Sequence, residues 1–313
     1  MLDSFLPLLE QKRPLILDGA LATELERRGA NLNDPLWSAK VLIENPEMIR
    51  QLHLDYFRAG ADITTSATYQ ATFAGFARRG LDHVQATQLM QLSVQLALEA
   101  RAIFQSETNQ IDETGALPLV AASVGPYGAF LANGAEYTGE YGLTFEELKT
   151  FHRERMAVLV ASGADLLACE TIPSLAEGRA LLELLTEFPM ARAWLSFSCK
   201  DGAYVCHGET MAECATLANG NPQILAIGVN CTAPEHIESL VRIAKATTDK
   251  PIVVYPNRGE GYDPVQKCWL PGSESLSPLE TARRAYTAGA RLIGGCCRTT
   301  PEDIREIAEH LTG

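Results

Sequence analysis

Between residues 15 and 312 the sequence alternates short apolar runs with longer stretches of helical periodicity, and it does so eight times. The runs are Leu15–Leu17, Ala61–Thr65, Pro118–Ser123, Asp165–Cys169, Ala193–Ser198, Ile224–Asn230, Pro251–Tyr255 and Arg291–Gly295. After Asp18-Gly19-Ala20 a helix is predicted with Glu24, Glu26, Arg27 and Arg28 on its polar side. Further helices are predicted over 46–59, 82–106, 144–162, 174–187, 209–219, 234–246, 277–288 and 301–312. This alternation argues for parallel strands joined by helical crossovers. Eight such units close into an α/β fold of the (β/α)8 TIM-barrel type, with a doubly wound open sheet as the alternative. One junction recurs, at Ala59-Gly60-Ala61, Ser162-Gly163-Ala164 and Ala288-Gly289-Ala290, and reads as a left-handed glycine C-cap leading into a strand. No linker or shift of composition divides the chain, so a single domain, 1–313, is expected.

Composition narrows the function classes. Apolar residues make up 46% of the 313 and charged residues 21%, which fits a globular chain with a sizeable core. The formal charge is −13 and no Lys/Arg run exceeds a pair, so nucleic acid and anionic membranes are poor partners. The start Met1-Leu2-Asp3-Ser4-Phe5 lacks the basic opening of a signal peptide, and no apolar run approaches the ~18 residues of a membrane span. A reducing cytoplasm is therefore expected, and the eight cysteines are expected to be thiols.

In such a barrel, functional residues collect just after the strands. Those positions hold Asp18-Gly19, Thr65–Gln70, Ser123–Tyr127, Glu170-Thr171, Ser198-Cys199, Asn230-Cys231, Tyr255–Asn257 and Cys296-Cys297. Cys231 and the Cys296-Cys297 pair would converge on one rim. Three thiolates and an open position are the plan of a catalytic zinc site, and thiolates favour zinc over magnesium or calcium. Neighbouring residues of a regular strand face opposite ways, so the pair can share a metal only where the strand has ended. Gly294-Gly295 is expected to give the flexibility for that. The alternatives are a vicinal disulfide or three buried thiols without a metal. Cys169, Cys199, Cys206, Cys214 and Cys268 read as small buried hydrophobes. Taken singly, Asp18 also reads as a helix N-cap, Glu170 as a salt-bridged rim residue, and Gly19 and Asn257 as turn residues. The long connection 257–277 is expected to act as a lid.

Gly228-Val229-Asn230-Cys231 and Gly294-Gly295-Cys296-Cys297-Arg298-Thr299-Thr300-Pro301 resemble the two zinc motifs of the homocysteine S-methyltransferase family. Leu17-Asp18-Gly19-Ala20, Ser123-Val124-Gly125-Pro126-Tyr127-Gly128 and Cys169-Glu170-Thr171 match as well, and the similarity runs over nearly the whole chain. Leu36-Trp37-Ser38-Ala39-Lys40 and Val254-Tyr255-Pro256-Asn257 resemble the short bacterial and plant type that uses S-methylmethionine. The resemblance implies Zn2+ on Cys231, Cys296 and Cys297, with the sulfur of L-homocysteine in the fourth position. It implies Asp18, Gly19 and Glu170 around the amino acid part of homocysteine, with Glu170 facing its ammonium. Asn257 could hydrogen-bond either substrate. Trp37, Tyr69, Tyr127, Tyr255 and Trp269 could offer an aromatic face to the sulfonium. The implied partners are small molecules, with no nucleic acid and no membrane, and a monomer is compatible with this reading. S-adenosylmethionine as donor and selenocysteine as acceptor are alternatives within the family. A non-catalytic zinc or thiol-redox sensor, with four protein ligands or a Cys296–Cys297 disulfide, is the alternative of another class.

Overall fold

Alternation of side chains along the strands sorts the apolar residues into two cores. Leu15, Leu17, Ile63, Leu119, Leu166, Trp194, Val253 and Leu292 fill one, and Ile16, Val120, Leu167, Leu195, Ile227, Val254 and Ile293 belong to the other, which includes the helices. This is the arrangement of a closed barrel with a filled interior and a helical jacket. A computed structural model describes residues 13–32, 37–108, 117–259, 261–263, 268–270 and 276–312, with residues 37, 38, 261–263 and 268–270 described by their backbone alone.

The strands are β1 (Leu15–Ile16), β2 (Ile63–Thr65), β3 (Leu119–Val124), β4 (Leu166–Ile172), β5 (Ala193–Phe197), β6 (Ile224–Asn230) and β7 (Ile252–Tyr255). A hairpin of β8 (Gly261–Asp263) and β9 (Cys268–Leu270) follows, and then β10 (Ala290–Ile293). Eight of them form one parallel sheet in the order β1-β10-β7-β6-β5-β4-β3-β2. A parallel bridge between Leu17 and Ile63 joins the two edges. The Asp18 amide donates to the Ile63 carbonyl at 3.0 Å and the Asp62 amide to the Ile16 carbonyl at 2.7 Å, which completes the closure.

The eight predicted strands all form, and the expected barrel, not the open sheet, is the result. The recurrent glycines are left-handed as read, with φ of +97° at Gly60, +92° at Gly163 and +121° at Gly289. The predicted 209–219 helix is shorter, Met211–Ala215 followed by the 3-10 turn Thr216–Ala218. Short helices at Phe73–Ala77 and Tyr127–Leu131 lie beyond the sequence reading, since five residues are too few to show a period. The 257–277 connection contains the β8–β9 hairpin, and residues 260, 264–267 and 271–275 of the expected lid lie outside the described residues. Of the cysteines read as packing, Cys169, Cys199 and Cys214 are buried and Cys206 is half-buried, while the side chain of Cys268 lies outside the described residues.

Gly228 marks the tightest strand approach near the site. A Cβ there would run into the carbonyl of Val253 on β7. Gly228→Ala is expected to cost about 1–3 kcal/mol through overpacking and to lower the melting temperature by several degrees. Thermal denaturation followed by circular dichroism checks this, and an unchanged midpoint would contradict the packing.

Candidate active site

Cys231 follows the last residue of β6, and Cys296-Cys297 follow β10 by two glycines. The exit of β7 lies between them and holds both in place. The Cys231 amide donates to the Tyr255 carbonyl at 3.1 Å, the Cys296 amide to the Pro256 carbonyl at 2.8 Å, and the Arg258 amide to the Cys297 carbonyl at 3.0 Å. The three sulfurs lie within 4.8 Å of one another. Cys231 and Cys296 are joined as a disulfide, and the Cys297 sulfur is 4.0 Å from that of Cys296. The expectation that all eight cysteines are thiols is therefore corrected for Cys231 and Cys296, and the pairing also differs from the vicinal Cys296–Cys297 disulfide held as an alternative. Once reduced, the trio supplies three soft donors with room for a fourth ligand, a set that fits zinc. No other group of three or more such side chains with metal-site spacing occurs among the described residues.

The strand ends at Ile293, as sharing of a metal by neighbouring cysteines requires. Gly294 and Gly295 serve differently from the expectation. Neither has a positive φ. A Cβ on Gly294 would meet that of Leu17 at 2.6 Å, and one on Gly295 would strike Thr299. Close approach, not flexibility, demands glycine at both positions.

Asp18 and Glu170 are both buried at the same mouth. Asp18 accepts from Thr64 Oγ1 at 2.8 Å, the Thr65 amide at 2.7 Å and Thr65 Oγ1 at 3.2 Å. It caps no helix, because the helix Leu21–Arg27 begins at Ala20 without a side-chain cap. Burial pushes its carboxyl up to about 7, and the Glu170 charge adds to the rise. Glu170 accepts from Ser123 Oγ, forms no salt bridge among the described residues, and is also pushed up to about 7 by burial. Gly19 is tight against other elements: a Cβ would lie 2.9 Å from Tyr56 Oη and 3.0 Å from Thr299 Oγ1. Asn257 lines a small cavity with Ile237, Pro278, Thr281 and Ala285, and its side-chain oxygen is buried there with no partner.

Several functional supports escaped the sequence reading of roles. Asn230 takes the Thr171 amide at 2.7 Å and Ser196 Oγ at 2.8 Å on its oxygen, and donates to Thr171 Oγ1 at 2.7 Å. Tyr255 Oη joins the same chain, 2.6 Å from Ser196 Oγ and 2.9 Å from Trp194 Nε1. Thr171 and Cys231, beside Glu170 and Asn230, adopt left-handed φ of +59° and +47°. Such non-glycine conformations cost about 1–3 kcal/mol each and persist only where the surroundings impose them. The Asn230 side chain braces Thr171, and the amide bond to the Tyr255 carbonyl braces Cys231. Behind Asp18, His53 Nδ1 lies 2.9 Å from Thr64 Oγ1. The only hydroxyl proton of Thr64 goes to Asp18, so His53 donates, and burial keeps it neutral by pushing its pKa down to about 4. Arg155 NH2 donates to His152 Nδ1 at 2.8 Å and to the Gly125 carbonyl. His152 Nε2 therefore donates to Glu177 at 2.8 Å, which also takes the Tyr127 amide at 2.6 Å. This buried chain fixes the turn after β3.

The aromatic candidates separate. The Tyr127 ring packs against Phe130, Tyr141 and Phe151, and Tyr255 is bound into the interior chain. Tyr69 is half-buried, and desolvation of its phenol, with the nearby Glu136, Glu170 and Cys297 charges, raises its pKa. The side chains of Trp37 and Trp269 lie outside the described residues. Glu136, absent from the sequence expectations, stands near Cys297, whose thiol its charge helps raise.

Known proteins bear on this arrangement. The family model described as homocysteine S-methyltransferase matches residues 15–311. A homocysteine S-methyltransferase of Bacillus subtilis, YbgG, is 54% identical over 295 residues, covering 94% of this chain and 93% of that protein. A selenocysteine Se-methyltransferase of Brassica oleracea is 48% identical over 95% of this chain and 88% of its own length. The crystal structure of the homocysteine methyltransferase MmuM from Escherichia coli in its metallated form superposes with a TM-score of 0.86 at 48% identity, covering 97% of this chain and 98% of that one. With a full-length family match and half its residues shared with such relatives, the chain belongs to the homocysteine S-methyltransferase family.

Proposed function

We propose that this protein moves a methyl group from S-methylmethionine to the sulfur of L-homocysteine, forming methionine, with Zn2+ on Cys231, Cys296 and Cys297. The observation that carries the reading is the meeting of three cysteines and two buried carboxyls at one barrel mouth, in a chain of this family. It is an enzyme working as one domain, 1–313, in the cytoplasm, where reducing conditions keep the trio as thiols. A zinc ion there would take the homocysteine sulfur as fourth ligand and keep it deprotonated, which a free thiol with a pKa near 8.5 achieves only to a few per cent at neutral pH.

The side chains do the rest. Glu170 and Asp18 hold the homocysteine ammonium, with Ser123, Thr64 and Thr65 fixing their orientation. Gly19 lets the chain pass close to Thr299 and Tyr56, and Asn257 offers its oxygen to an N–H of either substrate. The new bond forms between the homocysteine sulfur and the methyl carbon as the donor's S–CH3 bond breaks. The bond's electron pair stays on the donor sulfur, which leaves as a neutral thioether, so no general acid is required. Alignment of two bound substrates supplies several kcal/mol of the rate enhancement. A second reading, selenocysteine as acceptor, draws on the Brassica relative, and competition between the two acceptors separates them.

Methionine formation from homocysteine and S-methylmethionine, in reductant and with or without a zinc chelator, is the direct test. Cys231→Ser, Cys296→Ser and Cys297→Ser are each expected to abolish turnover and zinc retention while leaving the circular dichroism spectrum intact. Unchanged zinc content and activity in these variants would refute the site.

Binding an ammonium needs the carboxylates ionised, and both titrate at about 7 in the free protein. Product inhibition by methionine, which has no thiol to titrate, is therefore expected to weaken as pH falls below 7, by roughly tenfold per unit for one required carboxylate. A pH-independent inhibition constant between 5 and 8 would contradict this.

The same burial has a cost in stability. The folded state holds the Glu170 proton up to about 7 whereas the unfolded chain releases it near the ordinary value of 4.5, so stability falls as pH rises through that window. Glu170→Gln is expected to lose activity yet melt a few degrees higher than the parent at pH 8, with little difference at pH 4.5. A lower melting temperature at pH 8 would show that the carboxylate stabilises the fold.

A further inference from the structure

We infer that Glu136 recognises the positive charge of the methyl donor, its carboxylate facing the sulfonium from the wall of the mouth beside Cys297. This rests on the reading of the site given above and names a donor-binding residue for it.

Glu136 lies in a 3-10 turn, Ala135–Tyr137, beyond β3. The turn is held from two directions. Gly128 packs so closely that a Cβ there would lie 2.6 Å from the Ala135 carbonyl carbon, and Ser198 Oγ donates to the Glu136 carbonyl at 3.0 Å. The turn is thus fixed over the exits of β3 and β5, at the same end of the barrel as the cysteines. One carboxylate oxygen, Oε2, is sealed from solvent and has no hydrogen-bond partner. No salt bridge reaches Glu136 among the described residues. Burial raises the pKa of Cys297, Tyr69 and Tyr137, and the Glu136 charge adds to the rise at each.

A carboxylate with one oxygen buried and unpartnered is costly, and nearby thiolates would add repulsion. Glu136 near a thiolate trio is therefore unfavourable on its own. A cation between them reverses the sign of both interactions. The ligand that the chemistry brings to that gap is a sulfonium, whose charge is spread over the methyl groups adjoining sulfur. Tyr69 and Tyr137 add aromatic surface suited to such a cation. The charge disappears when the methyl leaves, so Glu136 holds the donor and releases the neutral thioether. The homocysteine ammonium already has Asp18 and Glu170, which leaves Glu136 for the second substrate.

The test uses the zinc-loaded enzyme with Glu136→Gln and Glu136→Asp. Glu136→Gln is expected to raise the KM of each sulfonium the parent accepts, S-methylmethionine and S-adenosylmethionine alike, by about tenfold or more, with kcat, the KM for homocysteine and zinc content nearly unchanged. A structural role would not produce that split. Inhibition by 2-amino-5-methylhexanoate, which places a neutral carbon where S-methylmethionine has its sulfonium, is the second readout. The parent is expected to bind the cation at least tenfold more tightly than this isostere, and Glu136→Gln to lose the preference. Should Glu136→Gln not fold, a reduced preference in Glu136→Asp answers the same question. An unchanged donor KM, a preference that survives, or a loss confined to S-adenosylmethionine would overturn the inference. A parent enzyme that makes no methionine from any sulfonium would instead defeat the proposed function itself.

Discussion

Everything at the mouth depends on parallel closure of the sheet. Because β10 inserts between β1 and β7, residues near 18 and 296 become neighbours although more than 250 positions apart in the chain, and Cys231 joins them from β6. The exit of β7 then acts as a common rail, with consecutive carbonyls at Tyr255 and Pro256 taking the amides of Cys231 and Cys296. The Gly295 amide bonds the Asp18 carbonyl at 3.1 Å and links this rail to the first strand. The cysteine geometry is thus set by the backbone before any metal arrives, which reduces the ordering that a ligand must impose.

The polar interior is the counterpart of that closure. Asp18, Glu170, Ser196, Asn230 and Tyr255 all lie in or near the barrel mouth, where apolar packing would be more stable. Their hydrogen bonds connect β1, β2, β4, β5, β6 and β7, so the carboxyls are dehydrated without being free to turn. That dehydration lifts both carboxyls towards neutrality, and it gives a substrate ammonium more to gain there than water offers. The left-handed backbone at Thr171 is held by the Asn230 side chain, and that at Cys231 by its amide bond to the Tyr255 carbonyl.

The sequence was most readable where physics repeats. Strand and helix periods recur eight times, so the barrel followed, and the rule that sites lie after strands pointed to Asp18, Glu170, Cys231 and Cys296-Cys297. Roles set by contact between distant segments left no periodic trace. Glu136 sits on a three-residue turn, His53 looks like any polar residue of a helix, and Asn230 was visible only as part of a motif. Gly294-Gly295 shows the limit well. Two glycines before a ligand pair suggest freedom of φ, but the need came from Leu17 and Thr299, residues whose nearness a linear reading does not contain.

The final barrel strand carries two of the three thiols, while the third is on a strand made 65 residues earlier. A chain released from synthesis before β10, or one whose last strand has not docked, owns a single cysteine at the mouth and cannot grip the ion. On the proposed zinc site, activity would then be all or none with respect to completion of the fold. Since a ligand that binds only the closed form stabilises it, metal would also act as a clasp on the last seam to close. Incomplete copies would be silent rather than impaired, and would not sequester a scarce cofactor.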